Sequence, residues 1–195
     1  EFALGAALAL SGAGRAAVAG LDTDGSDGPT GLAGGLVDHL SAARAGGLGI
    51  DLRAALARHD VRVERDFGPV PPMLAERGKV LQILVNLVSN AKYACDAGLR
   101  RDKLITLRVA PGPAGRVRLV VQDNGVGIPD ENQTRIFQHG FTTKPKGHGF
   151  GLHSSANAAM EMKGTLTVHS DGPGTGATFT LDLPAAAPDA IAANN

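Results

Sequence analysis

Apolar positions along this chain change period several times, and each change predicts an element. Residues 61–65 (VRVER) alternate with a period of two, as in a half-buried strand. Residues 68–72 (GPVPP) form a stiff connector. From about 76 to 97 the apolar spacing becomes helical and stays so for several turns. Residues 104–110 and 116–122 are β-rich runs joined by PGPAG, a hairpin-like pair. Residues 124–149 are loop-rich, 150–163 again helical, and 165–169 and 177–183 form another strand pair around a Gly/Pro turn. Strands mixed with two or three helices, outside strict βαβ alternation, predict an α/β sandwich. Its sheet is mixed or antiparallel, with the helices on one face.

The first fifty residues have another texture. They hold 12 of the 27 glycines and no lysine. Residues 23–35 (TDGSDGPTGLAGG) read as a linker, and 36–44 as a short helix. Residues 2–20 read as a helix fragment or a disordered end. Asp51 can cap a helix over 52–58. These shifts divide the chain into a Gly/Ala-rich segment (1–50), a folded domain (51–184) and an Ala-rich tail (185–195). The apolar run at 2–10 is interrupted by Arg15 and glycines before the ~20 residues of a membrane span accumulate. No basic segment precedes it, against a secretory signal.

Acidic and basic residues balance at 19 each. That gives no case for nucleic-acid binding. One cysteine, Cys95, excludes a disulfide framework and favours a reducing cytoplasm. Cys95 falls on the packing side of its helix and reads as inert core. His139, His148, His153 and His169 match no zinc spacing.

The long helix carries a narrow polar stripe. On a wheel, Lys79, Gln82, Asn86 and Tyr93 fall near Asn90, while Leu81, Leu84, Val85, Val88 and Cys95 fall opposite. An ordinary solvated face would carry Glu, Lys or Gln; two asparagines one turn apart are weaker helix formers. An Asn oxygen can hold Mg²⁺, which keeps waters and bridges to phosphates. Both readings stand at this point.

Three further segments carry candidate chemistry. Asp123-Asn124-Gly125 ends a strand: either a tight turn, or a carboxylate that accepts from the exocyclic amine of adenine, with Gly125 and Gly127 letting the base approach. Residues 136–147 (IFQHGFTTKPKG) suit either a pinned surface loop or a loop closing over a ligand. In the second case Phe137 and Phe141 are anchors, and Lys144 or Lys146 phosphate contacts. Gly147-His148-Gly149-Phe150-Gly151-Leu152 opens a helix, where main-chain N–H groups can approach phosphate oxygens.

In order, LVNLVSNAKYA, DNGVGIP, IFQHGFTTK and GHGFGLH resemble the boxes of the ATP-binding catalytic domain of sensor histidine kinases. The wider superfamily takes in DNA gyrase, a heat-shock chaperone and mismatch-repair ATPases. The resemblance covers residues 50–184 and implies the Bergerat-type fold, a left-handed β-α-β sandwich. It implies ATP and Mg²⁺ as cofactors, with Asn90 as metal ligand and Asn86 its companion. Asn86, Asn90 and Lys144 are the implied catalytic set. Asp123 is the implied adenine acceptor, with Gly125, Gly127 and Ile128 beside the base and Thr178 assisting through water. Tyr93, Phe137, Thr143, Gly147, His148, Gly149, Phe150, Gly151 and Leu152 complete the implied nucleotide contacts. Implied partners are ATP or ADP, a phosphoacceptor histidine domain and a response regulator, with a homodimer where a dimerisation region exists.

Four departures bear on this reading. Tyr93 stands where many relatives have a base, and Lys92 points toward the packing side. Asn86 stands where hydrolytic members carry a water-activating Glu, which favours transfer over hydrolysis. His148 and Phe150 replace a small residue and Leu. His39 is the only histidine before Asp51, and its context (VDHLS) does not match a phosphoacceptor. The expectation is therefore a kinase catalytic domain whose acceptor lies elsewhere. The alternatives are a nucleotide-sensing module and an ATPase of the chaperone or topoisomerase branch.

Overall fold

The structure is a computed structural model that describes residues 9–10, 16–18, 56–71, 73–145 and 147–186. The expected linker at 23–35, the helix at 36–44, His39, Lys146 and the end of the tail lie outside the described residues.

Two short strands, β1 (Ala9–Leu10) and β2 (Ala16–Val18), pair antiparallel with each other. β2 also pairs with β4 (Met73–Ala75). Both differ from sequence expectation, which had a helix fragment or disorder at 2–20 and nothing after the proline connector. Strands of two and three residues are too short to show a period, so only their pairing reveals them. Met73 is almost fully buried and also bridges to Ala185.

The main sheet has the order β3-β5-β6-β8-β7. β3 (Arg62–Phe67) pairs parallel with β5 (Leu104–Pro111). The remaining neighbours, β6 (Arg116–Asp123), β8 (Ala177–Pro184) and β7 (Thr165–His169), are antiparallel. The β3–β5 crossover contains α1 (Arg77–Ala97). α2 (Asp130–Gln133) is a short turn of helix, and α3 (Gly151–Glu161) follows the glycine-rich loop. The expected mixed, mostly antiparallel sheet is what forms, with most boundaries within two residues.

Period-two alternation sorts the sheet into two faces. Ile105, Leu107, Val109, Val117, Leu119, Val121, Phe179, Leu181 and Leu183 are buried on one face, under α1 and α3. Each such side chain contributes about 1.5–3 kcal/mol relative to exposure. The other face carries Thr106, Arg108, Arg118, Gln122, Thr178 and Thr180 in register. Arg118 grips Asp182 there with two bonds of 2.8 Å.

α1 is buried further round than a one-sided wheel predicts. Val80, Ile83, Leu87 and Ala91 join Leu84, Val88 and Cys95 in the core, while Leu81 and Val85 are only partly buried. The cause is α3, which lies beside α1 on the same face of the sheet and packs against it, with Asn86 donating to the Gly151 carbonyl and Ser155 Oγ. Asn86 of the polar stripe therefore lies at a helix–helix seam, while Gln82 and Tyr93 stay exposed. Cys95 is buried, with Sγ 3.7 Å from the Leu104 carbonyl and from Asn124 Oδ1, and burial pushes its thiol up.

Asp96 fastens the end of α1 to its surroundings through Lys92 (2.7 Å), Lys103 (2.8 Å) and His59 (2.9 Å). Burial raises its carboxyl, but hydrogen bonds from Lys103 and Lys92 outweigh this and hold it at about 2. The depressed value stabilises the fold above the unfolded pKa and loses that effect as pH falls through about 2. Asp96→Asn is expected to lower unfolding free energy at pH 7 by about 1–2 kcal/mol, and by much less at pH 2, in denaturant titrations.

Candidate functional site

Four segments meet at one end of the fold, and backbone contacts decide how. The turn after β6 lies directly on α1: Val126 N–H donates to the Ala94 carbonyl at 3.2 Å. A Cβ on Gly125 would overlap the Ala94 main chain, so only glycine fits. Ala94 is one helical turn beyond Asn90, which brings the Asp123 turn to the same end of α1 as the asparagines. Asn124 holds this turn to β5, accepting from Leu104 N–H at 2.8 Å and donating to the Asp102 carbonyl at 2.7 Å. Ser170 ties it to the β7–β8 turn, accepting from Ile128 N–H at 3.0 Å and donating to the Gly176 carbonyl at 2.6 Å. Neither Asn124 nor Ser170 stood out as a site-builder in the sequence, because both act on main chain distant along it.

The loop before α3 folds back on itself. Gly140 N–H donates to the Gly149 carbonyl at 3.2 Å. Gly149 has φ of 72°, and a Cβ there would overlap the Gly140 carbonyl. A run of rings braces this loop against α3. His139 lies 4.9 Å from Phe150 and 5.2 Å from His153, and His148 stacks on Phe150 at 6.3 Å. Phe150 is half exposed, and the main-chain carbonyl of Phe137 lies 3.0 Å from His153 Nδ1.

α1, the loop before α3 and the start of α3 line an open cavity of about 650 Å³. Of the expected site residues, it gathers Asn86, Asn90, Thr143, Lys144, Gly147, His148, Gly149, Phe150, Gly151 and Leu152. Ser89, Ile136, Phe141 and Thr142 also line it, although the sequence reading left them out of the binding set. Asp123, Gly125, Gly127, Ile128, Phe137, Tyr93 and Thr178 are not among its lining. No Asp or Glu lines it among the described residues, so its ionic character is set by Lys144. The first N–H groups of α3 begin at its wall, where they have no intrahelical acceptor.

The two asparagines behave differently. Asn86 spends its amide on α3, donating to the Gly151 carbonyl (3.3 Å) and Ser155 Oγ (3.1 Å), while its oxygen accepts from Gln82 (3.3 Å). Asn90 presents its oxygen to a cation, the Lys144 ammonium at 2.6 Å. Burial lowers the Lys144 pKa from its ordinary value. Lys92 is engaged with Asp96 and does not line the cavity.

Asp123 is buried at the end of β6 and accepts from Gly125 N–H at 2.9 Å. Burial pushes its carboxyl up to about 6, against hydrogen bonds from Gly125 and Ala177 that pull it down. Register corrects the expectation for Thr178. Asp123 pairs with Ala177, whereas Thr178 pairs with Gln122 on one side and His169 on the other. Paired residues share a face and successive ones alternate, so Thr178 projects from the polar face, away from Asp123. Thr178→Val is expected to leave adenine-nucleotide affinity within about twofold by calorimetry, since no hydroxyl would be lost near the carboxylate.

Comparison with known proteins gives this arrangement a family. The profile described as "Histidine kinase-, DNA gyrase B-, and HSP90-like ATPase" matches residues 75–187. A second, described as the MOFRL family, matches residues 1–64, mostly outside the described residues. The two-component sensor PprA of Pseudomonas aeruginosa is 38% identical over 155 residues, covering 75% of this chain and 16% of that protein. Sensor protein FixL of Bradyrhizobium diazoefficiens is 34% identical over 143 residues, covering 73% of this chain and 27% of that protein. The chain thus spans a minor part of the length of these relatives. Among solved structures, full-length ShkA in complex with AMPPNP superposes with a TM-score of 0.63 at 28% identity, over 79% of this chain and 31% of that one. A family match from β4 to the end of β8, histidine kinase relatives and a shared five-stranded fold all converge. The chain belongs to the family of histidine kinase-, DNA gyrase B- and HSP90-like ATPases, and residues 75–187 are an ATP-binding domain of the kind sensor histidine kinases carry.

Proposed function

We propose that this domain holds Mg²⁺–ATP in the cavity between α1, the loop before α3 and the start of α3, and presents the γ-phosphate to a histidine on a phosphoacceptor domain. The observation that carries the reading is the pairing of an amide oxygen already holding a cation (Asn90 with Lys144) with the open N-terminus of α3, in a cavity that no Asp or Glu lines among the described residues. A hard amide oxygen that accepts an ammonium at 2.6 Å suits Mg²⁺, which takes few protein ligands alongside phosphate and water. Bound there, Mg²⁺ would neutralise charge on the phosphates during transfer. Lys144 and the N–H groups of Gly151 and Leu152 bind phosphate oxygens. Asn86 positions α3 through Gly151 and Ser155. The adenine extends beyond the lining of this cavity to the turn after β6, where Asp123 accepts from its amine, with Gly125, Gly127 and Ile128 along the base. Thr143, Gly147, His148, Gly149 and Phe150 close the phosphate side, and Phe137 anchors the loop.

Transfer is favoured over hydrolysis because no carboxylate lines the cavity among the described residues, and the side chain one turn before Asn90 is an amide that cannot take a proton from water. Asn86 is neutral and hydrogen-bonded at both ends of its amide. In this reading the domain works in the cytoplasm, and the phosphohistidine passes its group to a response regulator. The test is a phosphotransfer assay with ATP and a histidine-bearing helical hairpin. Acid-labile phosphate on the hairpin supports the reading. Steady release of inorganic phosphate without transfer sinks it, and nucleotide binding with neither product supports a sensing module instead.

A further inference from the structure

Lys144 reaches from the loop before α3 back to α1 and meets two side chains three residues apart on that helix. Its ammonium donates to Asn90 Oδ1 at 2.6 Å and sits 4.5 Å from the centroid of the Tyr93 ring. No carboxylate partners it among the described residues, so a neutral oxygen and a ring face hold the charge. A cation is attracted to the face of an aromatic ring, and the attraction grows as water is excluded. Tyr93 is itself 41% exposed and not part of the core, so its ring is free to serve this contact.

We propose that Tyr93 is a positioning residue for Lys144: its ring face holds the ammonium on the Asn90 side-chain oxygen, so that lysine and divalent ion contend for one atom. The metal half of this inference rests on the function proposed above. The Lys144 ammonium gives the loop a polar bond to α1, beside the packing of Ile136 and Phe141 on the core. Arrival of metal and nucleotide exchanges one cation for another at Asn90. The released ammonium then gains phosphate oxygens, which are stronger partners than a neutral amide oxygen. The polar stripe of α1, lacking a base at position 93, thereby borrows its cation from the loop.

Two readouts test this on the full chain. The first uses no ligand. Lys144 N–H donates to Thr142 Oγ1 and Gly147 N–H to the Lys144 carbonyl. Tyr93→Leu is expected to speed hydrogen exchange at these two amides about fivefold or more, while Tyr93→Phe, which keeps the ring face, leaves them as in the parent. The second is the Mg²⁺ concentration giving half-maximal binding of AMPPNP. It should fall about threefold or more in Tyr93→Leu and stay unchanged in Tyr93→Phe. Unchanged exchange in Tyr93→Leu, or exchange in Tyr93→Phe as fast as in Tyr93→Leu, overturns the proposal. So does weaker AMPPNP binding at every Mg²⁺ concentration with ligand-free exchange unaltered, since Tyr93 would then be a base contact only. If AMPPNP binds to no form of the protein, the function above fails, while the exchange experiment still decides whether Tyr93 holds Lys144.

Discussion

Asn90→Ala is expected to remove the Mg²⁺ dependence of nucleotide binding, with affinity for Mg²⁺–AMPPNP falling on the order of 100-fold. Affinity in chelator should hardly change, because the variant removes a metal ligand and no base contact. Phosphotransfer to a histidine hairpin should fall at least as far. Stability should move by less than about 0.5 kcal/mol, since Asn90 is only partly buried and its recorded side-chain bond is to Lys144. Calorimetry with and without Mg²⁺, with a denaturation curve, checks all of this. An unfolded variant, or equal loss with and without metal, would remove Asn90 from the metal site.

Asp123→Asn should separate adenine from guanine nucleotides. A carboxylate accepts from the adenine amine, and Asn would turn a donor toward it, so AMPPNP affinity should drop about 10- to 100-fold at pH 8. Affinity for guanine nucleotides, which lack that amine, should change little. The same side chain gives a pH signature. Its folded pKa of about 6 lies above the unfolded value, so protonated Asp123 stabilises the fold at low pH and that effect disappears as pH rises through about 6. Asn carries no charge to bury. Asp123→Asn should therefore be more stable than the parent by about 1–3 kcal/mol at pH 8 and near parity at pH 4. Adenine binding to the parent should strengthen as pH rises through about 6. A flat profile and equal loss for both bases would take Asp123 out of the site.

Much of this fold was legible because its elements are long enough to show a period. The eight-residue runs of β5 and β6 bury every second side chain, β8 does so up to Leu181, and α1 holds helical spacing for 21 residues. β4 was invisible at three residues. Ile83 lies near Asn90 on the wheel, on the side a one-sided packing model leaves to solvent, yet it is fully buried, on the side from which Asn86 reaches α3. Thr178 shows the opposite limit. The family resemblance put a hydroxyl one residue away from the strand position paired with Asp123, and in a strand one residue is the other side of the sheet.

Local chain chemistry settled the order of elements, the apolar face of each strand, the asparagines one turn apart and the glycines where main chain must come close. These follow from dihedral preference and period, which act within a few residues. Convergence was settled elsewhere: the Asp123 turn lying on Ala94, Asn86 spent on α3, and the Lys144 ammonium seated between Asn90 and Tyr93. Each of these joins residues about 30 to 65 positions apart, and no pattern inside one segment encodes a distance between two. Close packing of sheet, helix and loop supplies that distance, and with it the difference between an asparagine that braces a helix and one that holds a cation.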